Sequence, residues 1–220
     1  ALTKAGAEAA NCPFATIGPN VAVVPVIDER LERVSQVVGC SEIVWDTIAF
    51  HDIAGLVAGA SKGEGLGNQF LANIRETDAL VHVVRAHEDP NVIHSEGSVD
   101  PARDIDTIET ELVYADLEQA ERRHQRVVRE ARGGDRHAIA EERWLADVIA
   151  ALQQGLPART VPVPDDAPDV ARLLQPLTGK PVLFVANVDE GDDEVPEAVA
   201  EHAATHGARA VAVSSRLEAE

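Results

Sequence analysis

Two unbroken apolar runs, 79–85 (ALVHVVR) and 181–186 (PVLFVA), constrain the fold of this chain more than any other feature. Short runs without polar alternation suit strands covered on both faces, as in a parallel sheet flanked by helices. A third run, 208–213, has the same character. Two earlier segments, 21–26 (VAVVPV) and 43–50, also read as strands, and Pro25 confines the first to a sheet edge because it has no N–H to donate. Segment 28–38 opens on the acidic cap Asp28 and carries Leu31, Val34 and Val38 at helical spacing. A second helix is expected over 68–77, after a polar, Gly-rich stretch. This alternation predicts an α/β fold with a mostly parallel sheet.

The region between the two strongest strands breaks that rhythm. Ile105, Ile108 and Leu112 begin a helical stripe that continues to Gly133-Gly134, and a second stripe carries Ala138, Leu145, Val148 and Leu152. The pattern predicts an antiparallel helical hairpin inserted into the α/β domain. A proline-rich stretch, 158–168, leads back to the sheet. The expected division is 1–99 for the first part of the α/β domain, 100–157 for the hairpin and 158–220 for the second part. Residues 1–10 read as the tail of a helix already under way and 217–220 as the start of another, so a longer parent chain is expected.

Composition narrows the function classes. There are 19 basic and 38 acidic residues, a formal net charge of −19, so any contact with a phosphate backbone needs a local basic patch. Aromatic residues make up 3%, too few for the stacking platforms that bind single-stranded nucleic acid. Cys12 and Cys40 lack metal-ligand spacing, no apolar run approaches a membrane span, and no basic-then-apolar leader is present, so a cytoplasmic setting is expected.

Three motifs can carry chemistry. At the end of a strand, Asp52 precedes Gly55 by three residues; such a carboxylate can reach Mg²⁺ through water and such a glycine amide can face a γ-phosphate, although a turn cap gives the same pattern. Following PVLFVA, Asn187 can read a purine edge with its amide, and Glu190 lies three residues on; this too is compatible with a turn. Thr16, in the loop NCPFATIGPN, can complete a Mg²⁺ shell or bond to a neighbouring backbone group.

The runs NCPFATIGPN, DIAGLVAGASKGEGLGNQFLANIRETDALVHVVR and PVLFVANVDE, in this order, resemble the YchF/Obg-like ATPase family of P-loop NTPases over nearly all of the chain. The resemblance implies a P-loop NTPase-type sheet with Mg²⁺ as cofactor, Thr16 and Asp52 as its ligands, and Gly55 and Leu56 in the second switch. Leu56 stands where related enzymes carry a water-positioning Gln, which excludes a side-chain base at that position. The resemblance also puts Asn187, Val188 and Glu190 in the base-specificity slot and Ser214 and Ser215 in the loop over the base. Glu190 is one methylene longer than the Asp that pairs with guanine N1–H and N2–H₂, so ATP is expected to be preferred, with GTP the other candidate. The phosphate-binding GxxxxGK[ST] spacing does not occur in these residues. In the family it would lie just before Ala1, and the 220 residues by themselves are expected not to bind nucleotide tightly.

Six arginines, Arg122, Arg123, Arg126, Arg129, Arg132 and Arg136, surround the hairpin tip against Glu121, Glu130 and Asp135. Arg122, Arg126 and Arg129 share one helix face by spacing, a candidate RNA-facing surface as well as an ordinary solvated one. The family's association with ribosomes favours the first. The expected function is a ribosome-associated switch that hydrolyses ATP or GTP. A nucleotide-gated ribosome- or RNA-binding module with incidental hydrolysis is the alternative, as is a nucleotide-free scaffold if no P-loop exists.

Overall fold

A computed structural model describes residues 20–52, 66–89, 94 and 97–219. The strands are β1 (Asn20–Val26), β2 (Asp46–Asp52), β3 (Leu80–Arg85), β4 (Val182–Asn187) and β5 (Arg209–Val213). The helices are α1 (Glu29–Val38), α2 (Leu66–Arg75), α3 (Pro101–Ala131), α4 (Arg136–Gln153), α5 (Val170–Leu174) and α6 (Glu197–Thr205). Strands β3, β4 and β5 form a parallel sheet with β4 in the centre, while β1 and β2 pair antiparallel in a separate ribbon. The apolar runs therefore build the parallel sheet, and the two earlier strands pair with each other. Pro25 sits on the ribbon's β1 strand opposite Thr47. The second strand begins three residues later than its pattern suggested, at Asp46 instead of residue 43, and the second helix begins at Leu66 instead of residue 68. The expected helix at 217–220 is a single 3-10 turn, Leu217–Ala219.

The long insertion is a helical hairpin, and its ends have local causes. Asp100 accepts from the Arg103 N–H at 3.1 Å with Pro101 at the first helical position, and Asp135 accepts from the Ala138 N–H at 2.9 Å. Between the helices, Gly134 adopts φ +82°, a conformation that a side chain would strain. The 31 residues of α3 reach all three apolar clusters. Ile105 packs with Val84, Phe184 and Val199 beneath the sheet; Leu112 and Ala115 pack with Leu71, Ile74 and Leu177; Ala120 and Val127 pack with Leu145, Val148 and Leu152 of α4. Helix α3 is thus the common wall of the sheet and the hairpin. Helices α5 and α6 were not anticipated from the sequence.

A buried polar node fixes this wall in place. Asp116 of α3 is 1% exposed and accepts from the Leu177 N–H at 2.8 Å, the Thr178 N–H at 2.7 Å, the Thr178 hydroxyl at 2.7 Å and Arg75 Nη1 at 3.2 Å. Arg75 ends α2 and also donates to the Gln175 carbonyl at 2.9 Å. One carboxylate therefore ties α2, α3 and the segment entering β4.

Candidate functional site

A parallel sheet places all its strand carboxyl ends on one edge, where α/β proteins bind ligands. Asn187 ends the central strand there. Its carbonyl accepts from the Ala86 N–H at 2.9 Å and lies 3.0 Å from His87 Nδ1, which joins it to the end of β3. Its side-chain Oδ1 accepts from the Ser215 N–H at 3.0 Å, just beyond β5. The amide is thereby oriented with its oxygen engaged and its NH₂ remaining as donor, the polarity that purine N7 accepts. Ser214 Oγ, beside this contact, is buried without a hydrogen-bond partner among the described residues. Val188 donates its N–H to the Val213 carbonyl at 3.0 Å and is 6% exposed, so its side chain faces the core. Glu190 is exposed in the turn that follows, where Gly191 takes φ +96°. Asn187, Ser214 and Ser215 are thus drawn together, with Glu190 solvent-facing on the same connection.

Asp52 ends β2 on the other sheet, exposed and in register with Asn20. A carboxylate at a strand end is a hard oxygen donor of the kind Mg²⁺ takes with waters and substrate phosphates, so the residue fits that ion. Thr16, Gly55 and Leu56 lie outside the described residues, as does most of the Gly-rich stretch before α2. His51, next to Asp52 on β2, is exposed.

At the hairpin, Arg122 is paired with Glu118 at 3.1 Å, one turn away. Arg123 instead crosses to the buried Glu141 of α4 and belongs to the packing of the hairpin. Arg126 and Arg129 are exposed and form no ion pair among the described residues. The spacing placed Arg122, Arg126 and Arg129 together; only the structure distinguishes the paired member from the other two.

A cavity of about 530 Å³ lies elsewhere, beside Arg75, Trp144, Arg159 and Lys180 at the base of the hairpin. Lys180 Nζ is engaged there by the Arg75 carbonyl at 3.0 Å and by the Thr77 carbonyl, and burial lowers its pKa. Two further groups carry no sequence motif: Asp116, and a cluster of Glu109, His202 and His206. The His202–His206 interval of four is the one signal in the sequence that could have marked them as a helical pair; the approach of α3 has none. No described helix is long and apolar enough to cross a membrane.

The family model described as "50S ribosome-binding GTPase" matches residues 1–128. A relative from Haemophilus influenzae named "Ribosome-binding ATPase YchF" is 48% identical over 223 residues, covering 100% of this chain and 61% of the relative. A relative of the same name from Bacillus subtilis is 44% identical over 227 residues, covering 100% of this chain and 62% of its own length. Among solved structures, the Schizosaccharomyces pombe YchF GTPase superposes with a TM-score of 0.72 at 32% identity, covering 96% of this chain and 59% of that one. The chain thus spans about three-fifths of the length of the curated relatives it matches.

Proposed function

The chain belongs to the 50S ribosome-binding GTPase family, and on that footing we propose that it is the nucleotide-binding part of a cytoplasmic, ribosome-associated switch that hydrolyses ATP in preference to GTP. The observation that carries the reading is the amide of Asn187, held at the carboxyl end of the central strand by the Ser215 N–H with its own N–H donors remaining. Those donors suit N7 of either purine, so Asn187 contributes to binding without choosing the base. Glu190 makes the choice: its longer side chain misplaces the paired acceptance that guanine N1–H and N2–H₂ require. The names of the relatives, ribosome-binding ATPases, support both the ribosome and the hydrolase parts of the reading.

In this proposal Asp52, with Thr16, holds Mg²⁺, which when bound neutralises phosphate oxygens. Leu56 offers no base, so backbone groups around Gly55 orient the attacking water. The division into 1–99, 100–157 and 158–220 goes with it: the first and third parts hold nucleotide, and the hairpin presents Arg126 and Arg129, with Arg122, to ribosomal RNA. Competition between ATP and GTP for the full-length protein tests the base assignment. Preference for ATP supports it, and preference for GTP overturns it.

A further inference from the structure

We propose that Glu109 of α3, His202 of α6 and His206, which caps the end of α6, form a binding site for one Zn²⁺ ion. The site is built on two helices and uses none of the residues assigned to nucleotide. His202 and His206 lie four residues apart, one above the other on one helix face, with ring centroids 4.2 Å apart and planes 21° from parallel. Across the helix interface, Glu109 Oε2 lies 3.1 Å from His202 Nε2 and 4.0 Å from His206 Nε2. One ligand atom from each of the three residues falls within 4.8 Å of the others. Tetrahedral Zn²⁺ with bonds of about 2.0–2.1 Å holds its ligands about 3.4 Å apart, so the stacked imidazoles close the site by turning their Nε2 atoms inward toward Glu109.

The hydrogen-bond pattern favours a metal. His206 Nδ1 is 2.9 Å from the His202 carbonyl, which can only accept, so Nδ1 donates there and Nε2 is the atom left facing Glu109. A backbone carbonyl on the far nitrogen is the usual orienting contact of a metal-bound histidine. His202 Nε2 is buried, and the nearby carboxylate lies off the direction of a hydrogen bond; among the described residues the atom has no hydrogen-bond partner. Phe184, 1% exposed, meets the His202 ring edge to face at 5.4 Å and so fixes its direction. The two ring nitrogens and the carboxylate oxygen gather without a hydrogen bond among them, an arrangement that a cation between them satisfies. Two imidazoles and one carboxylate select a borderline ion such as Zn²⁺ over Mg²⁺, and three protein ligands leave a fourth position for water. Bound there, the ion clips the first half of α3 to α6. The rival occupant is a proton, which would turn the cluster into an ordinary histidine–carboxylate ion pair.

The test uses full-length protein stripped of metal with a chelator. Zn²⁺ is titrated in competition with a micromolar-affinity chromophoric chelator, and Co²⁺ is added separately for its visible spectrum. The wild type should take up one Zn²⁺, gain roughly 5–10 °C in melting temperature at a hundredfold excess over Kd, and show the intense bands of four-coordinate Co²⁺. Glu109→Gln and His206→Gln should each weaken Zn²⁺ binding at least about tenfold and abolish the Co²⁺ bands. Both positions are partly exposed, so these variants are chosen over substitution of the more buried His202. Absence of competitive Zn²⁺ binding, or equal affinity and spectra in wild type and both variants, overturns the proposal in favour of the proton.

Discussion

Replacing Asp116 should cost more stability than any other single polar substitution in the described residues. Asp116→Ala strands two buried backbone donors, Leu177 N–H and Thr178 N–H, and removes the carboxylate facing Arg75. Each orphaned buried donor costs about 1–3 kcal/mol. Arg75 is 18% exposed and keeps the Gln175 carbonyl, so its share is smaller. The Thr178 hydroxyl can rotate, and it also accepts from the Ala158 N–H at 2.9 Å. The sum is about 3–5 kcal/mol, the usual cost of removing one member of a buried charged pair. Asp116→Asn keeps the shape and one acceptor but turns an NH₂ toward a donor, for about 2–3 kcal/mol. Urea unfolding followed by fluorescence of Trp144, which is 4% exposed in the hairpin, reads the change. With a slope of about 2 kcal/mol per molar urea, Asp116→Ala should lower the midpoint by about 1.5–2.5 M, with Asp116→Asn between it and wild type. A shift below about 0.5 M for Asp116→Ala would refute the reasoning.

Asn187→Ala removes both the acceptor for Ser215 and the donors for purine N7, and should weaken ATP and GTP alike by roughly 10- to 100-fold in equilibrium binding to the full-length protein. The double change Val188→Lys with Glu190→Asp should move preference toward GTP by about 10- to 100-fold; because Val188 is 6% exposed, the new lysine must run its stem outward, and a competition assay should be accompanied by a melting curve. Burial pushes the pKa of His82 down to about 4, against the opposing pull of Glu109 and Asp104. The folded state therefore prefers neutral His82: its contribution is whole above pH 6.5 and is lost as pH falls from 6.5 to 4, by roughly 3 kcal/mol, and His82→Phe should flatten stability over that window. Arg126→Glu with Arg129→Glu should lower ribosome affinity about tenfold in co-sedimentation and shallow its salt dependence, with ATP binding unchanged.

The parallel sheet was legible because β3, β4 and β5 are apolar on both faces, and such runs have few other uses. The hairpin was legible because its helices are long enough for the 3.6-residue period to show and its turn carries Gly133-Gly134. Helix α5 is five residues long, too short for periodicity, and α6 is rich in alanine with a weak apolar stripe. The pairing of β1 with β2, separated by α1, depends on register between segments rather than on either segment alone. At the candidate site, Asn187 and Asp52 were visible as polar residues ending apolar strands. The Asn187–Ser215 contact was not, since it joins residues 28 apart through the parallel order of β4 and β5. Asp116 and Glu109 look from the sequence like ordinary surface acids of a charged helix. Only packing against the segment before β4 buries Asp116, and only the approach of α6 gives Glu109 its histidines.

The most direct test of the proposed switch is ribosome co-sedimentation of the full-length protein across a titration of a non-hydrolysable ATP analogue, at fixed salt. The account predicts that the analogue changes ribosome affinity at least about tenfold, a difference of about 1.4 kcal/mol between nucleotide-free and bound states, and that Asn187→Ala shifts the response to higher analogue concentration. Ribosome binding that stays the same from zero to saturating analogue would contradict it.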